Sequence, residues 1–156
     1  MKSLFSIVVF SLFVLTIFGR QIEKTNEIIS ISSGTSFGRC IGYCRQSIEI
    51  IANPLQLNVL REANFNQASY PPVHVGFLLE QQIWTKLVGL VDLKTIENLD
   101  ERIGCPDCAD GGAEWIQIDT TSTSKRITFE NGRTVQGTEN LIEQLRDLRQ
   151  TYLSKV

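Results

Sequence analysis

Five short segments in which apolar and polar side chains alternate constrain the fold of this chain more than any other feature. Alternation with a period of two places successive side chains on opposite faces of a strand, so each segment predicts a strand with one buried face. Several of the connections between them are short, which favours antiparallel pairing because parallel strands need a long crossover. The alternating segments are 47–51, 55–60, 73–78, 114–118 and 125–130.

Two other segments repeat their apolar residues every three or four positions, which is the period of an amphipathic helix. The first spans 80–91, with Trp84 at its buried edge, and a shorter helical turn is expected over 93–99. The second begins at Thr138, with Glu139 in its first turn as the helix dipole favours. The sequence therefore predicts helices after the third and the last strands.

An Asn-Gly pair at 131–132 is typical of a tight hairpin, because both central positions of that turn favour a positive φ. It predicts a short partner strand over 133–136. Trp115, on the strand at 114–118, is expected at a core position. The expected order is βββα followed by ββα, which predicts an α+β domain with an antiparallel sheet and the helices packed on one face.

The first part of the chain determines the predicted domain organisation. Segment 4–18 follows a single lysine and contains only three polar side chains. It is shorter than the roughly 20 residues needed to span a membrane and fits the core of a cleaved signal peptide. The prediction is a signal peptide over 1–19, a polar tether over 20–36 and a single α+β domain over 37–156. The tether is Ser-rich, with few apolar anchors to offset the entropy of ordering, although its isoleucines leave open a short edge strand.

Composition and the apolar leader together restrict the compartment and the partners. The leader predicts a secreted or periplasmic protein with no stable membrane span after signal cleavage. Fifteen Lys and Arg against seventeen Asp and Glu give a net charge of −2, too little positive charge for a clustered basic surface that binds nucleic acid. No nucleic-acid partner is expected, and the sequence identifies no other partner. The chain lacks the common nucleotide, zinc-protease and hydrolase motifs, so the prediction leans away from an enzyme.

The four cysteines occur as two close pairs, for which the sequence leaves three chemistries open. Two local disulfides, Cys40 with Cys44 and Cys105 with Cys108, are favoured by an oxidising compartment, although the spacing alone does not decide the pairing. A tetrathiolate zinc site is the second, because two close pairs offer tetrahedral coordination. The third is a thiol-disulfide oxidoreductase that uses Cys105 and Cys108, although the two glycines that follow do not favour the helix such sites use.

Three carboxylates form an acidic loop around the second cysteine pair: Asp107, Asp110 and Glu114. Their oxygens are of the type that binds calcium, but their spacing does not match an EF-hand loop. A solvated loop of turn-forming residues is favoured. No catalytic residue and no cofactor are predicted, with zinc at the four cysteines as the alternative.

Both cysteine motifs resemble known sequences. Residues 40–44, CIGYC, and the strand after them resemble the C-x-G-x-C opening of a family of small exported bacterial domains of unknown function, which usually has Pro where this chain has Arg45. Residues 104–115, GCPDCADGGAEW, resemble a segment of hypothetical exported proteins of that kind. The resemblance implies the fold and the compartment, and no activity. The overall prediction is a secreted or periplasmic module, non-catalytic, binding or structural, and stabilised by disulfides.

Overall fold

The computed structural model describes residues 26–65 and 67–156, which form a seven-stranded mixed sheet and three α-helices. The predicted α+β class is confirmed. The predicted signal peptide over 1–19 and the first part of the tether, 20–25, lie outside the described residues. The elements are β1 (Ile28–Ser36), β2 (Arg45–Ala52), β3 (Leu55–Glu62), β4 (Val73–Leu78), α1 (Gln81–Leu90), α2 (Leu93–Asn98), β5 (Arg102–Ile103), a 3-10 turn (Cys108–Asp110), β6 (Ala113–Thr120), β7 (Ser124–Glu130) and α3 (Glu139–Leu153).

All five alternating segments are strands, namely β2, β3, β4, β6 and β7. The strand order across the sheet is β4-β3-β2-β1-β6-β7-β5. Neighbouring strands are antiparallel, except that β5 runs parallel to β7. The element order differs from the expected βββα-ββα in two ways. β1 precedes the first predicted strand, and β5 is an additional strand at the edge of the sheet.

β1 lies at the centre of the sheet, paired with β2 on one edge and β6 on the other. The predicted tether is therefore wrong from Ile28 onward, and the folded domain begins before residue 37. The prediction counted apolar anchors, whereas backbone hydrogen bonds along both edges hold this strand. A serine of β1 is also satisfied within the fold: the buried Ser33 hydroxyl accepts a hydrogen bond from Arg149 of α3 at 2.5 Å.

The partner strand predicted over 133–136 does not form, although the turn before it does. Gly132 has a φ of +78°, and the Arg133 amide donates to the Glu130 carbonyl at 3.1 Å. The edge of β7 beyond this turn is already occupied, because β5 pairs there with Thr128 and Phe129. The chain instead leads to Val135, which is buried in the core.

One hydrophobic core lies between the sheet and the helices. α3 packs on β1 and β2, and α1 packs on α3. The buried residues of the sheet pair with one another across neighbouring strands. For example, Ile31 of β1 lies between Ile50 of β2 and Ile118 of β6, so these side chains share one face of the sheet. The fully buried large side chains of this core are Phe129, Ile31, Ile48, Ile50, Leu57, Leu87, Ile96, Ile116, Ile118, Ile127, Leu141 and Ile142.

A truncation tests whether β1 belongs to the domain. A chain that begins at residue 37 lacks the strand between β2 and β6, and we expect it to show no cooperative urea unfolding by circular dichroism. A chain that begins at Asn26 retains the whole sheet and should unfold with the same midpoint as the full chain. Equal midpoints for the two truncated chains would show that β1 is dispensable, as a tether would be.

Candidate functional site

The face of the sheet opposite the core carries a groove of about 480 Å³, which we call the open-face groove. Its described lining consists of strand residues from β1, β2, β3, β4, β6 and β7. A concave surface with a few convergent polar groups is the usual form of a small-molecule site. The groove's lining includes the side chains of Ser32, Glu49, Asn58, Trp115, Gln117 and Arg126.

Small residues of β1 form the floor of the open-face groove. Ser32 lines the groove, and Gly34 is on the same face of β1, while the strands on either side carry larger side chains. A Cβ at Gly34 would lie 2.6 Å from Cζ2 of Trp115, so the indole lies directly across the glycine. The surface of the open face is therefore depressed along the central strand, β1.

Five polar side chains lie in one row across the open face, each on a different strand. The register pairs Asn58 with Glu49, Glu49 with Ser32, Ser32 with Gln117, and Gln117 with Arg126. Neighbouring strands are about 4.8 Å apart, so the row crosses the sheet in regular steps. This register converts separate polar positions in the sequence into a continuous hydrogen-bonding surface.

Arg126 is held in place at one end of the row. Its guanidinium carbon lies 4.0 Å from the centroid of the Trp115 ring, and its Nε donates to Oε1 of Gln117 at 2.8 Å. Among the described residues, neither terminal nitrogen of the guanidinium has a hydrogen-bond partner or an ion-pair partner. Stacking on an aromatic ring orients a guanidinium while leaving its forked N–H groups available for an anion.

Ser32 and Glu49 lie further along the same row. Ser32 is only 6% exposed, and its hydroxyl makes no hydrogen bond within the described part of the chain. Glu49 is exposed, accepts a hydrogen bond from Nδ2 of Asn58 at 3.4 Å, and forms no ion pair with any described cation. The groove therefore contains a hydroxyl without a hydrogen-bond partner among the described residues, together with a carboxylate and a guanidinium that form no ion pair there.

Asp119 lies on the open face beside this row and is already engaged. Partial burial raises its pKa, but hydrogen bonds from Ser124, Ser30 and Gln117 and the charge of Arg126 more than offset that, so the pKa lies below the ordinary value. The carboxylate of Asp119 is therefore ionised over the physiological range, and its charge interacts with that of Arg126 on the open face.

The predicted acidic loop does not form a cluster. Asp107 accepts hydrogen bonds from the Gly38 amide, the nearer at 3.1 Å, and Asp110 is exposed in the 3-10 turn. Glu114 lies in β6 on the core side, where it is 1% exposed and bonded to two arginines of α3. No group of three or more metal-binding side chains occurs in the described ranges.

Glu114 ties the sheet to α3 through a buried ionic contact. Nη2 of Arg146 lies 2.6 Å from one carboxylate oxygen of Glu114, and Nη2 of Arg149 lies 2.7 Å from the other. Burial alone raises the pKa of Glu114, but hydrogen bonds and charge from both arginines more than offset this and hold it below the ordinary value. A buried carboxylate that is paired on both oxygens is the form that stays ionised.

The cysteines form the two local disulfides, Cys40–Cys44 and Cys105–Cys108, in separate connections at one end of the sheet. Cys44 is buried, whereas Cys105 and Cys108 are exposed. In this arrangement no cysteine sulfur is a free thiolate, so the tetrathiolate zinc site is not formed. Asp107 joins the two connections through its bond to Gly38.

The surroundings of Cys105 and Cys108 differ from those of a reactive C-x-x-C pair. Cys108 begins a 3-10 turn of only three residues. The Cys105 amide donates to the Glu130 carboxylate at 3.0 Å, and Asp107 lies between the two cysteines in sequence. Neighbouring carboxylates disfavour a thiolate, whereas a helix N-terminus or a cation favours it.

No protein-family model matches the chain, and no curated protein matches its sequence. The resemblance of the cysteine motifs to exported domains therefore stays a prediction. Within the described ranges, every helix is too short or too polar to cross a membrane.

Sequence analysis missed the residues of the open-face groove. Trp115 was expected in the core, and this placement is wrong, because the side chain lies half-buried on the opposite face. The available signal was the polar half of each alternating segment, which includes Glu49, Asn58, Gln117 and Arg126. That signal marks exposed positions, and only the register between strands shows that they form one row.

Acidification tests the buried Glu114 contact. Because the pKa of Glu114 is lowered in the folded state, its contribution to stability is full above about 4.3, the ordinary value. It is lost as the pH falls through the lower folded-state value. Urea unfolding of wild type and Glu114→Gln from pH 7 to pH 2.5 should show a smaller loss of stability for the variant. At pH 7 the variant should be less stable by about 3 kcal/mol, the usual cost of breaking a buried pair.

Glu143→Gln is the matched control for that experiment. Glu143 is exposed on α3 and has no ion-pair partner among the described residues, so its change should leave both the stability at pH 7 and the acid dependence as in wild type. An acid dependence in Glu114→Gln equal to that of wild type would show that the Glu114 contact does not carry the effect.

Alkylation tests the two disulfides. The intact mass of the unfolded protein should change with iodoacetamide only after reduction. Rings of this size, with sequence separations of 4 and 3, restrict the unfolded chain modestly. Replacing Cys105 and Cys108 by serine should therefore reduce the free energy of unfolding by about 2 kcal/mol. Alkylation without reductant would show free thiols and reopen the oxidoreductase and zinc alternatives.

Proposed function

We propose that this protein is a secreted or periplasmic, non-catalytic binding module whose ligand site is the open-face groove. The observation that carries the proposal is the groove itself, in which Ser32, Glu49 and Arg126 present unsatisfied polar groups on a rigid sheet. A ligand in the groove would find hydrogen-bonding groups that have spare capacity for it.

Two features support the proposed compartment. The apolar leader over 4–18 has the length and polarity of a signal-peptide core. Both cysteine pairs are disulfides, which form and persist in oxidising compartments. A secreted domain with two local disulfides and a preformed groove keeps its binding surface ordered outside the cell.

The positions of the binding groups also support binding without chemistry. Arg126 is fixed by Trp115 and Gln117, and Glu49 is bonded to Asn58. A guanidinium held as Arg126 is held loses little freedom when a ligand is bound, which favours affinity. The groove is thus suited to recognise a polar molecule by charge and hydrogen bonding.

A ligand screen with a filled groove tests this function. Wild-type protein labelled with ¹⁵N is titrated with mixtures of amino acids, short peptides, sugars and nucleotides. We expect at least one compound to shift amide signals of β1, β6 and β7. Ser32→Leu fills the floor of the groove, and we expect it to weaken binding of that compound at least tenfold, which is about 1.4 kcal/mol.

Ser69→Leu is the matched control, because Ser69 is exposed in the β3–β4 connection and does not line the groove. Its binding should equal that of wild type. Asn58→Leu repeats the test from another strand in case Ser32→Leu fails to fold, which circular dichroism shows. Shifts that persist unchanged in folded groove variants, or a screen without any shift in the groove, would refute the proposed function.

A further inference from the structure

We infer that β4 is an interface for a second copy of this chain, in which the two β4 strands pair antiparallel about a two-fold axis at Gly76. The inference goes beyond the proposed function and does not depend on it, because it concerns the edge of the sheet. β4 is the last strand at one end of the sheet, and no other described strand pairs with its outer edge. Its outward N–H and C=O groups are therefore available for another strand.

The outer edge of β4 lacks the features that usually prevent strand pairing, namely charged side chains, proline, a bulge or a very short strand. β4 has six residues, Val73–Leu78, and contains no Lys, Arg, Asp, Glu or Pro. Its pairing with β3 is continuous, without a bulge. Each of its residues is exposed or half-buried, and Leu78 is 92% exposed. This edge is therefore open to an apolar strand.

The opposite edge of the sheet is protected. β5 has only two residues and includes Arg102. It pairs with β7 only at Thr128 and Phe129, and the uncovered part of β7 carries Lys125 and Arg126. Cationic side chains at a sheet edge oppose pairing with another strand. A head-to-tail assembly would need both edges, whereas pairing of β4 with β4 needs one edge only and closes as a dimer.

The composition of β4 suits pairing with itself. In a two-fold interface a strand meets its own sequence running in the opposite direction, so a charged residue near the axis would face a like charge and be repelled. β4 has no residue of this kind. Residues directly opposite each other lie on the same face of an antiparallel sheet. The axis must therefore pass through a residue, and Val75 and Gly76 are the two central ones.

An axis at Val75 leaves the most exposed side chain of the strand without a partner in the ladder. It would place Leu78 opposite Pro72, which precedes β4 and has no N–H to donate. The apolar surface of Leu78 would then lie outside the paired segment. This register is therefore the poorer of the two.

An axis at Gly76 places Leu78 within the ladder. It sets Leu78 opposite His74 of the second copy on the open face, and Val75 opposite Phe77 of the second copy on the other face. Pairs of aromatic and β-branched side chains stabilise neighbouring strands. Phe77 already packs edge-on against Tyr152 of α3, with ring centroids 5.1 Å apart, so this pair would extend the apolar layer between the sheet and the helices.

The inferred dimer has one consequence for the open-face groove. The axis is perpendicular to the sheet, so the open faces of both copies lie on the same side. The lining of the groove reaches β4, because it includes His74, Val75 and Gly76. The second copy therefore continues the open face beyond this end of the groove.

Light scattering over a concentration series of the disulfide-bonded protein tests the interface. One shared strand is a small contact, at the weak end of specific association. We therefore expect the average mass to rise from one chain at about 10 μM toward two chains at about 1 mM. Amide hydrogen exchange of β4 should slow over the same range, because pairing protects the outward N–H groups.

Charges at Gly76 test the register. The nearest atom to a Cβ at Gly76 is Oδ1 of Asn58 at 3.4 Å, an ordinary contact, so Gly76→Lys and Gly76→Glu should both fold, which circular dichroism checks. Each variant alone sets like charges opposite each other at the axis and should raise the dissociation constant at least tenfold, which is about 1.4 kcal/mol. An equimolar mixture of the two variants sets opposite charges there and should restore the dimer.

Gly89→Lys and Gly89→Glu are the matched controls, because Gly89 is exposed on α1 and a Cβ there meets no described atom within 4 Å. Both should dimerise as wild type does. A single-chain mass at every concentration, a mass that grows beyond two chains, or a Gly76 mixture that stays monomeric each overturns the inference. Slow exchange of β4 amides in a monomer would show that the chain itself covers this edge and would also overturn it. The proposed function stands or falls separately, by the ligand screen.

Discussion

The pairing of β1 on both edges is the constraint on which the rest of the structure depends. With β2 on one side and β6 on the other, this strand joins the first four strands to the last ones in a single sheet. On this strand Ser32 lines the groove, and Gly34 leaves the space across which the Trp115 indole lies. The same strand therefore closes the core on one face and forms the groove on the other.

A polar central strand is tolerated because the core side provides partners for it. Ser33 faces α3, where Arg149 donates to it and also to Glu114 on the adjacent strand. Arg146 completes the pairing of Glu114. Buried charges are costly unless every group is paired, so this contact fixes how α3 lies against the sheet. The open face carries the unpaired groups instead, at Ser32, Glu49 and Arg126.

The sequence was sufficient to predict those elements that are defined by their own side chains. β2, β3 and β7 alternate Ile, Leu, Val or Phe into the core, and their pattern identified them. β1 was missed because partners distant in sequence stabilise it, namely β6 and Arg149 of α3. The groove was missed for a related reason. Glu49, Ser32 and Gln117 become neighbours only through the register of three strands, which local periodicity does not contain.

The open-face groove is fixed by the same contacts that fix the fold. Trp115 lies across Gly34, and Arg126 in turn lies over the indole. A larger residue at position 34 would displace Trp115 and with it the guanidinium. The protein itself therefore positions the guanidinium, and a ligand that bonds to Arg126 bears less of the entropic cost of ordering it.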